Sequence, residues 1–412
     1  MDGIYIVGVG MTPCGKFLDR SVKDLTRDAV GAALADAGVD AGAIEAAFFS
    51  NATQAAIEGQ FMIPGQIALR DMGIGGIPVA NVENACASAS TALHLAYAQL
   101  KAGLCEVALA VGAEKMYDRD KAKSFSVFNG AWDVHGVENV ERALEELGRG
   151  IAPPPGAEQP QAFRSVFMDV YAAMARSHMG RFQTTQRQLA AVAAKNHTHS
   201  TRNPLSQYRH GMTIEEVLAA RPIAWPLTLP MCAPISDGAA AAILVREEAL
   251  GRFDRKRAIR VEASVLASGS DRAIDDLENH VCRIAAAKAY ETAGVGPGDM
   301  SLAEVHDATA FGEITQSENL GFCEIGQGGW LAEKGETSLG GRIPINTSGG
   351  LESKGHPIGA TGLGQAHELV LQLRGEAGER QVANARFAIA ENGGGFHGWE
   401  EAAACVTILS NR

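Results

Sequence analysis

The sequence has no CxxC pair, only 6% aromatic residues and no apolar run long enough to cross a bilayer. Its seven cysteines are scattered and odd in number, which is typical of a reducing compartment and gives neither a disulfide framework nor a zinc site. No basic segment precedes the first apolar stretch, which therefore predicts a β-strand rather than a signal peptide. We expect a cytoplasmic protein with no membrane segment.

Positive charge is also scarce. The 36 Lys and Arg residues are outnumbered by 48 Asp and Glu residues, which gives a net charge of -12 at pH 7. Binding to nucleic acid needs a clustered positive surface, so this composition argues against it. The chain also lacks a P-loop, a Rossmann glycine fingerprint and any cluster with metal-ligand spacing, so we expect no metal.

The chain does contain an internal repeat. Residues 28–53 and 284–309 align without a gap at an offset of 256, so that Gly38 falls on Gly294. Each copy predicts an Ala-rich helix that ends at Ala-Gly-Val, then a short connection, an apolar strand and a polar loop. This period is too long for a solenoid and indicates two homologous α/β halves.

The pattern after each copy continues as strand, helix and strand, and the near-continuous apolar strands predict sheets covered on both faces. One long segment without a clear βαβ pattern interrupts this order, and we interpret it as an insertion, either a lid or a ligand-binding loop domain. The predicted N-terminal half is therefore 1–116 plus 235–255, the insertion is 117–234, and the C-terminal half is 256–412.

Cys86 is the candidate nucleophile because it follows a predicted strand and opens a predicted helix in the segment NACASAS. The first-turn N–H groups and the helix dipole there would favour a thiolate and could donate to an oxyanion. Its small neighbours leave room for a substrate. A small buried cysteine with no catalytic part is the commoner alternative, and it is our interpretation of the other six cysteines.

His356 is the candidate base, and it lies in the Gly-rich segment SGGLESKGHPIGATG. Such a backbone can wrap a ligand closely, so we assign its first residues, Ser348, Gly349 and Gly350, to ligand binding. A solvent-exposed loop histidine is the alternative. The repeat favours catalysis, because Cys86 and His356 occupy corresponding strand-to-helix regions that a pseudo-twofold axis could bring together.

Two further groups follow predicted strands, where ligands bind in α/β sheets. His306 and Asp307 end the second copy of the repeat, and an ordinary polar loop is an equally good interpretation of them. The run Gly393-Gly394-Gly395 follows the last strand of the second half and could hold an oxyanion with its backbone N–H groups.

In this order, the motifs NACAS, VHDAT and GHPIGATG resemble those of the thiolase superfamily, and more narrowly the sterol-carrier-protein-type thiolases and their bacterial relatives. The resemblance covers essentially the whole chain. It implies an α/β thiolase fold, with two αβαβα halves in five layers and a loop-domain insertion in the first half. It also implies a homodimer or dimer-based tetramer, an acyl-CoA substrate and no permanently bound cofactor.

Carried over by position, the resemblance makes Cys86 the acylated nucleophile and His356 its base. His306 and His356 would form one oxyanion hole, and the N–H groups of Cys86 and Gly393 would form the other. The insertion would hold coenzyme A. Some bacterial members work with a small OB-fold, zinc-ribbon protein, and the resemblance leaves such a partner open for this chain.

The sequence departs from the family at the second acid/base, usually a cysteine near the C-terminus that moves the proton at the substrate α-carbon. Glu391 stands at that position, and Ala308 replaces the other cysteine that can take the role. Glu391 could serve if burial raised its pKa towards neutrality. The other interpretation is an acyl transfer that uses a different base. We take the loss as a sign of an unusual substrate.

The leading hypothesis is therefore CoA-dependent cleavage of a 3-oxoacyl-CoA through acyl-Cys86. A second is an acyltransferase or condensing enzyme whose carbon acceptor is not acetyl-CoA. A third is a non-catalytic acyl-CoA-binding subunit. A related aldolase branch lacks the GHP histidine, so His356 disfavours an aldolase.

Overall fold

The computed structural model describes residues 3–155, 157 and 165–411. The remaining residues (1, 2, 156, 158–164 and 412) belong to the predicted halves and insertion and lie outside the described residues. The strands are β1 (Ile4–Met11), β2 (Ala46–Ser50), β3 (Val79–Val82), β4 (Val107–Glu114), β5 (Pro222–Ala224), β6 (Leu227–Thr228), β7 (Gly238–Arg246), β8 (Ile259–Ser268), β9 (Leu302–Glu304), β10 (Phe387–Gly394) and β11 (Ala403–Ser410). Strands β4, β9, β10 and β11 are buried along their whole length, in keeping with their apolar sequences.

The helices connect these strands and also build the insertion. They are α1 (Val22–Ala37), α2 (Gln54–Glu58), α3 (Pro64–Arg70), α4 (Ser88–Lys101), α5 (Lys121–Ser126), α6 (Val137–Leu147), α7 (Val166–Phe182), α8 (Gln186–Ser200), α9 (Ile214–Ala219), α10 (Val281–Ala293), α11 (Ala310–Asn319), α12 (Gly328–Glu333) and α13 (Thr361–Arg374). None of these helices is both long and apolar enough to cross a membrane.

Local sequence sets the ends of helix α1. The Ser21 side chain accepts the N–H of Asp24, whose carboxylate in turn accepts the N–H of Ser21. Gly38 ends the helix at φ 71° and donates its N–H to the last carbonyls. Gly294 ends α10 in the same way at φ 67°, so the repeat predicted at an offset of 256 is confirmed in the backbone.

The two halves contribute matching strand sets to one sheet among the described residues. Its order is β3-β2-β4-β7-β1 followed by β8-β11-β10-β9. The inner pairs β2–β4 and β9–β10 are parallel, while β4–β7 and β10–β11 are antiparallel. Ile345 makes one parallel bridge to Ala303 at the place that β3 holds beside β2 in the first half. The halves meet through two residue pairs between β1 and β8.

Three apolar cores separate the layers. The central core packs α4 and α13 between strands of both halves. A second core packs α1 and α3 on the outer face of the first half, and a third packs α10 on the outer face of the second half. Helices and the strand sets of the two halves therefore alternate as helix, strand set, helix, strand set and helix. This order confirms the predicted five layers, because each strand set is covered on both faces.

The predicted insertion forms a separate helical layer over the end of the sheet. It contains α5 to α9 and the small hairpin β5–β6, and its core includes residues of α7, α8 and α11. Strand β7 then returns between β1 and β4, as expected for a segment of the first half. The boundary at 234/235 lies in the loop before β7, and the boundary at 255/256 lies before β8.

Candidate active site

Cys86 lies in a tight turn, Ala85–Ala87, that leads into α4. The preceding Ala85 has φ 47°, a left-handed conformation that residues with a side chain seldom adopt. The turn packs directly on the end of β10, since a Cβ on Gly394 would lie 2.2 Å from the backbone oxygen of Asn84. Glycine is therefore required at position 394 for the Cys86 turn to lie where it does.

His356 lies on the loop that precedes α13 in the second half. Gly355 before it has φ 117°, a conformation that favours glycine. The first half holds this loop. Gly359 donates its N–H to Glu114 at 2.9 Å, and its carbonyl accepts the hydroxyl of Ser50 at 2.7 Å. The base is thus fixed by the strand ends of the opposite half.

The structure brings the two predicted catalytic residues together, with 3.2 Å between Cys86 Sγ and His356 Nε2. His356 Nδ1 lies 2.7 Å from the hydroxyl of Thr361, which donates its own proton to the carbonyl of Pro357 at 3.1 Å. Thr361 therefore accepts from the Nδ1–H of His356, which leaves Nε2 unprotonated towards the thiol. The pair is arranged for proton transfer from Cys86 to His356.

Burial favours the neutral form of both members of this pair. Burial lowers the pKa of His356 well below its ordinary value. Burial, with the charge of Glu114, raises the pKa of the Cys86 thiol to about 12, against the N–H groups of Cys86 and Gly395. Desolvation thus opposes the thiolate that the helix-start N–H groups favour, and the thiolate expected at this position stays a prediction.

His306 lies beside the pair, with 5.2 Å between the centroids of its ring and that of His356. Burial lowers the pKa of His306 to about 4, so its ring is neutral near pH 7. Neither ring nitrogen has a hydrogen-bond partner among the described residues. A neutral imidazole with an uncommitted N–H can donate to a developing oxyanion. Asp307 instead points inward and accepts the N–H of Leu351 at 2.8 Å, which holds the His356 loop.

A second acid/base needs a pKa near neutrality and a side chain that is free to face the substrate. Glu391 meets only the first of these requirements. Burial, with the charge of Glu401, raises the pKa of Glu391 to about 8. Its oxygens, however, are both occupied, since Oε2 accepts the N–H of His306 at 3.0 Å and Oε1 accepts the thiol of Cys282 at 3.3 Å. Glu391 is also not among the residues that line the cavity in front of Cys86. Its carboxylate supports His306 from behind.

Gly393 does not line that cavity either. A Cβ on Gly393 would lie 2.6 Å from Cγ of Glu401, so this glycine makes room for the glutamate. Gly394 and Gly395 do line the cavity, and the N–H of Gly395 acts to lower the pKa of the Cys86 thiol. The N–H that the glycine run offers to Cys86 is thus that of Gly395, two residues beyond the predicted one.

The structure does not bring the three predicted ligand-binding residues to the cavity. Ser348, Gly349 and Gly350 are all buried. A Cβ on Gly349 would lie 2.6 Å from Cβ of Ser200, and a Cβ on Gly350 would lie 2.2 Å from a carboxylate oxygen of Asp307. These glycines allow the loop to pack against α8 and the strand ends, which shapes the approach to His356.

A cavity of about 1550 Å³ opens in front of Cys86, His306 and His356. Its wall is rich in aromatic side chains from the insertion, although the chain as a whole has few. They are Phe125, Phe128, Trp132, Phe167 and Tyr171. The rings of Trp132 and Phe167 are stacked, with centroids 5.6 Å apart. Three exposed cationic residues also line the cavity. They are Lys16, Lys121 and Arg221.

Several side chains near the site were not found from the sequence. Thr361 carried a usable signal, because a hydroxyl at a helix start five residues after a histidine can reach its ring. Glu401 lies just before strand β11, where an acidic residue beside an apolar strand is unusual. Two sets of side chains also place ligand atoms within 4.8 Å of one another, close enough to share a metal ion. They are Cys86, His306 and His356, and His280, Cys282 and Glu401.

Comparisons with known proteins cover nearly the whole chain. The family described as "Thiolase, N-terminal domain" matches residues 4–218, and "Thiolase C-terminal domain-like" matches residues 263–411. "Sterol carrier protein 2" of Gallus gallus is 36% identical over 398 residues, covering 94% of this chain and 69% of that protein. "Acetyl-CoA acetyltransferase" of Methanothermobacter thermautotrophicus is 36% identical over 415 residues and covers 100% of both chains. "Benzoylsuccinyl-CoA thiolase subunit BbsB" of Thauera aromatica is 32% identical over 384 residues, covering 92% of this chain and 91% of that protein.

Solved structures share the fold at lower identity. The chain of "Ltp2-ChsH2(DUF35) aldolase" has a TM-score of 0.77 and 22% identity, covering 100% of this chain and 98% of that one. Human mitochondrial 3-ketoacyl-CoA thiolase in complex with CoA has a TM-score of 0.71 and 17% identity, covering 99% and 98%. At this identity the likeness concerns the fold, and it confirms the predicted architecture.

Proposed function

The chain belongs to the thiolase family, and we propose that it cleaves a 3-oxoacyl-CoA with CoA through an acyl-Cys86 intermediate. The family matches confirm the resemblance found in the sequence. The relatives named as an acetyltransferase and a thiolase show that the chain is an acyltransferase. The observation that carries the specific proposal is the Cys86–His356 contact at 3.2 Å, with Thr361 fixing the ring on its far side.

Acyl transfer begins with the neutral thiol. As Sγ of Cys86 attacks the 3-keto carbon, His356 Nε2 takes the thiol proton, and its Nδ1–H stays bonded to Thr361.

Oxyanions are stabilised from two directions in this proposal. The thioester oxygen accepts two hydrogen bonds in this proposal. One comes from a ring N–H of His306 that has no other partner, and the other comes from the protonated His356. The N–H groups of Cys86 and Gly395 face the sulfur of the nucleophile and serve the acyl-enzyme. This proposal assigns to Gly395 the role that the family resemblance implied for Gly393.

CoA enters in this proposal along the cationic side of the cavity. Lys16, Lys121 and Arg221 lie on its wall and are exposed, although the chain carries a net charge of -12. Cationic side chains on an acidic protein favour an anionic ligand at that place, and CoA carries phosphate groups. Lys121 and Arg221 belong to the predicted insertion.

The acyl group in this proposal is bulky and apolar. The insertion places a stacked Trp132–Phe167 pair and Phe128 on the cavity wall. Aromatic side chains bury large apolar areas and pack well against flat rings. Among linear, branched, aromatic and steroid-like 3-oxoacyl-CoAs, we expect the aromatic or polycyclic substrates to give the highest kcat/KM.

We also propose a homodimer or a dimer-based tetramer. Strand β3 is an edge of the sheet, and Ala80 and Asn81 within it are exposed. Phe61 and Met62, in the loop before α3, are 76% and 75% exposed. An unpaired edge and exposed large apolar residues favour coverage by another copy. Sedimentation equilibrium of the purified chain measures this directly, and a monomer at micromolar concentration would contradict it.

A second kind of subunit is part of the proposal. The relative BbsB is described as a subunit, and the structural neighbour is described by two joined names, Ltp2 and ChsH2(DUF35). A small OB-fold, zinc-ribbon protein stays the predicted partner. Thiolysis should therefore be assayed with and without any such protein encoded beside this chain.

The first prediction tests the covalent step. Wild-type protein incubated with acyl-CoA should gain the mass of one acyl group on the Cys86 peptide, and Cys86→Ala should gain none. Cys232→Ala is the matched control, since Cys232 also lines the cavity, and its adduct should persist. Peptide mass spectrometry reads both. An intact wild-type protein that gains no mass would contradict the proposal and favour a non-catalytic binding subunit.

A further inference from the structure

The carbon–carbon step needs a group that moves the proton at the substrate α-carbon, and the side chain has to face the cavity. Among the described residues, four carboxylates line it: Glu83, Asp133, Glu400 and Glu401. Glu83 and Asp133 are exposed. Glu400 is buried and engaged, because Oε2 binds Arg272 at 2.7 Å and accepts the N–H of Val281 at 2.8 Å. Glu401 is left as the buried carboxylate with access to the cavity.

The contacts of Glu401 fix its side chain, and only one of its two carboxylate oxygens accepts a hydrogen bond. Oε1 accepts the side-chain amide of Gln316 at 3.1 Å. Oε2 lies 3.3 Å from Nε2 of His280, without hydrogen-bond geometry, and neither atom has another partner among the described residues. Glu401 is 8% exposed. A buried oxygen without a hydrogen bond is costly unless something else binds it, which points to a ligand.

The surroundings of Glu401 are those of the acylation site. Its charge acts on His306, which stands beside the Cys86–His356 pair. It also acts on Tyr171, as does the Cys86 thiol, so this tyrosine lies near both groups. Gly393 packs against the Glu401 side chain and leaves it the space a larger residue would fill.

We propose that Glu401, rather than Glu391, is the acid and base for the α-carbon and for CoA. This rests on the proposed acyl-Cys86 mechanism. Glu401 stands on the cavity wall with one oxygen free of hydrogen bonds, whereas Glu391 has both oxygens occupied and does not line the cavity. Glu391 is then a positioning residue for His306.

The proton balance closes with these groups. Once Cys86 has added to the keto carbon and His356 holds its proton, the bond between the α-carbon and the keto carbon breaks. The electron pair goes to the α-carbon, which takes a proton from Glu401. Glu401 is a carboxylic acid at this point because it took that proton from the thiol of CoA in the previous turnover. The resulting Glu401 carboxylate then takes the proton from the thiol of CoA. The CoA thiolate attacks the acyl group, and Cys86 leaves and regains its proton from His356.

Deuterium exchange separates this step from acylation. The probe is acetyl-CoA in D₂O, with deuterium at the α-carbon read by mass spectrometry, and acylation of Cys86 is read on the same samples. Glu401→Gln should lower exchange by at least about 100-fold, the usual contribution of a general acid–base, and leave Cys86 acylation within a few-fold of wild type. Asp133→Asn, which alters an exposed carboxylate on the same wall, should change neither.

Four outcomes overturn the assignment. Exchange that persists in Glu401→Gln removes Glu401 from the step, and exchange lost only in Glu391→Gln transfers the role to Glu391. Loss of Cys86 acylation together with exchange in Glu401→Gln gives Glu401 a structural part. A metal ion found with the wild type, removed by Glu401→Gln and required for exchange, would make His280, Cys282 and Glu401 a metal site instead. A wild type that never acylates Cys86 refutes the proposed function itself, which the same samples reveal.

Discussion

The turn that carries Cys86 and the loop that carries His356 share one framework and differ in chemistry. Ala85–Ala87 leads into α4, Ile358–Ala360 leads into α13, and both helices have 14 residues. In the first half the nucleophile lies inside the turn. In the second half the base lies before it, on a loop that the first half holds. The duplicated fold thus supplies a symmetric scaffold, and each half uses it for a different catalytic group.

The two halves also approach each other in the same way. A Cβ on Gly394 of β10 would lie 2.2 Å from the carbonyl oxygen of Asn84, before α4. A Cβ on Gly112 of β4 would lie 2.1 Å from the carbonyl oxygen of Gly359, before α13. Each helix start therefore rests on a glycine of the opposite half, which explains how residues 270 positions apart come within 3.2 Å.

Alanine at these glycines should break the arrangement and give the largest effects. Gly394→Ala should displace the Cys86 turn and Gly112→Ala the His356 loop, because neither backbone contact can accept a methyl group. We expect each to slow Cys86 acylation by on the order of 100-fold or more, since misplacement by about 1 Å costs that much, and to destabilise the protein by about 1–3 kcal/mol. Stopped-flow acylation and denaturant unfolding measure the two.

Gly31→Ala is the control for both variants. Gly31 lies in α1, and a Cβ there has nothing within 4 Å. Alanine should leave acylation unchanged and stabilise the helix by about 0.5–1 kcal/mol. If Gly394→Ala and Gly112→Ala behaved like Gly31→Ala, the cross-packing of the halves would not determine the catalytic geometry.

A smaller effect should come from the side of His356 away from Cys86. Thr361→Val keeps the volume and removes the acceptor for Nδ1–H, leaving a buried donor unpaired at a cost of about 1–3 kcal/mol. The acylation rate should fall by about 10- to 100-fold, because the ring loses its fixed tautomer. Thr361→Ser restores the hydroxyl and should recover most of the rate. Equal rates in the valine and serine variants would show that the hydrogen bond does not set the tautomer.

The buried carboxyl groups at the strand ends of the two halves have different hydrogen-bond partners, and measurements at several pH values can test what this difference does. Glu114 accepts the N–H groups of Ala52, Thr53 and Gly359 and the Thr53 hydroxyl, while Glu391 accepts one N–H and a thiol. Burial raises the pKa of Glu391 from 4.5 to about 8. The second half thus keeps a buried acid that is protonated near pH 7.

Glu391→Gln should therefore change the pH dependence of stability. The folded state holds the Glu391 proton between pH 4.5 and about 8 while the unfolded state releases it, so this group's contribution is full below pH 4.5 and declines up to about pH 8. Relative to wild type, the variant should gain stability across that range, by at most about 1.4 kcal/mol per pH unit. Urea unfolding at several pH values measures the difference, and parallel curves would contradict it.

Much of this architecture could be predicted from local patterns. The gap-free repeat around Gly38 and Gly294 indicated two halves, and both residues adopt the same left-handed helix end. Cys86 and His356 stood at corresponding strand-to-helix junctions, and the structure places them in contact. Helix ends, strand periodicity and a duplicated pattern depend on neighbours in the chain, so a single sequence contains them.

Other features depended on packing between distant segments. Burial raises the pKa of the Cys86 thiol against its helix-start N–H groups, and the extent of burial is a tertiary property. Gly393 and Gly395 are two residues apart on the chain, yet one packs on Glu401 and the other reaches the thiol. The sequence itself determined the duplicated frame and singled out Cys86 and His356, which the fold brings into contact. Only the folded structure decided which of two glutamates ten residues apart faces the cavity, because β10 buries the side chain of Glu391 behind His306 while Glu401 remains on the cavity wall.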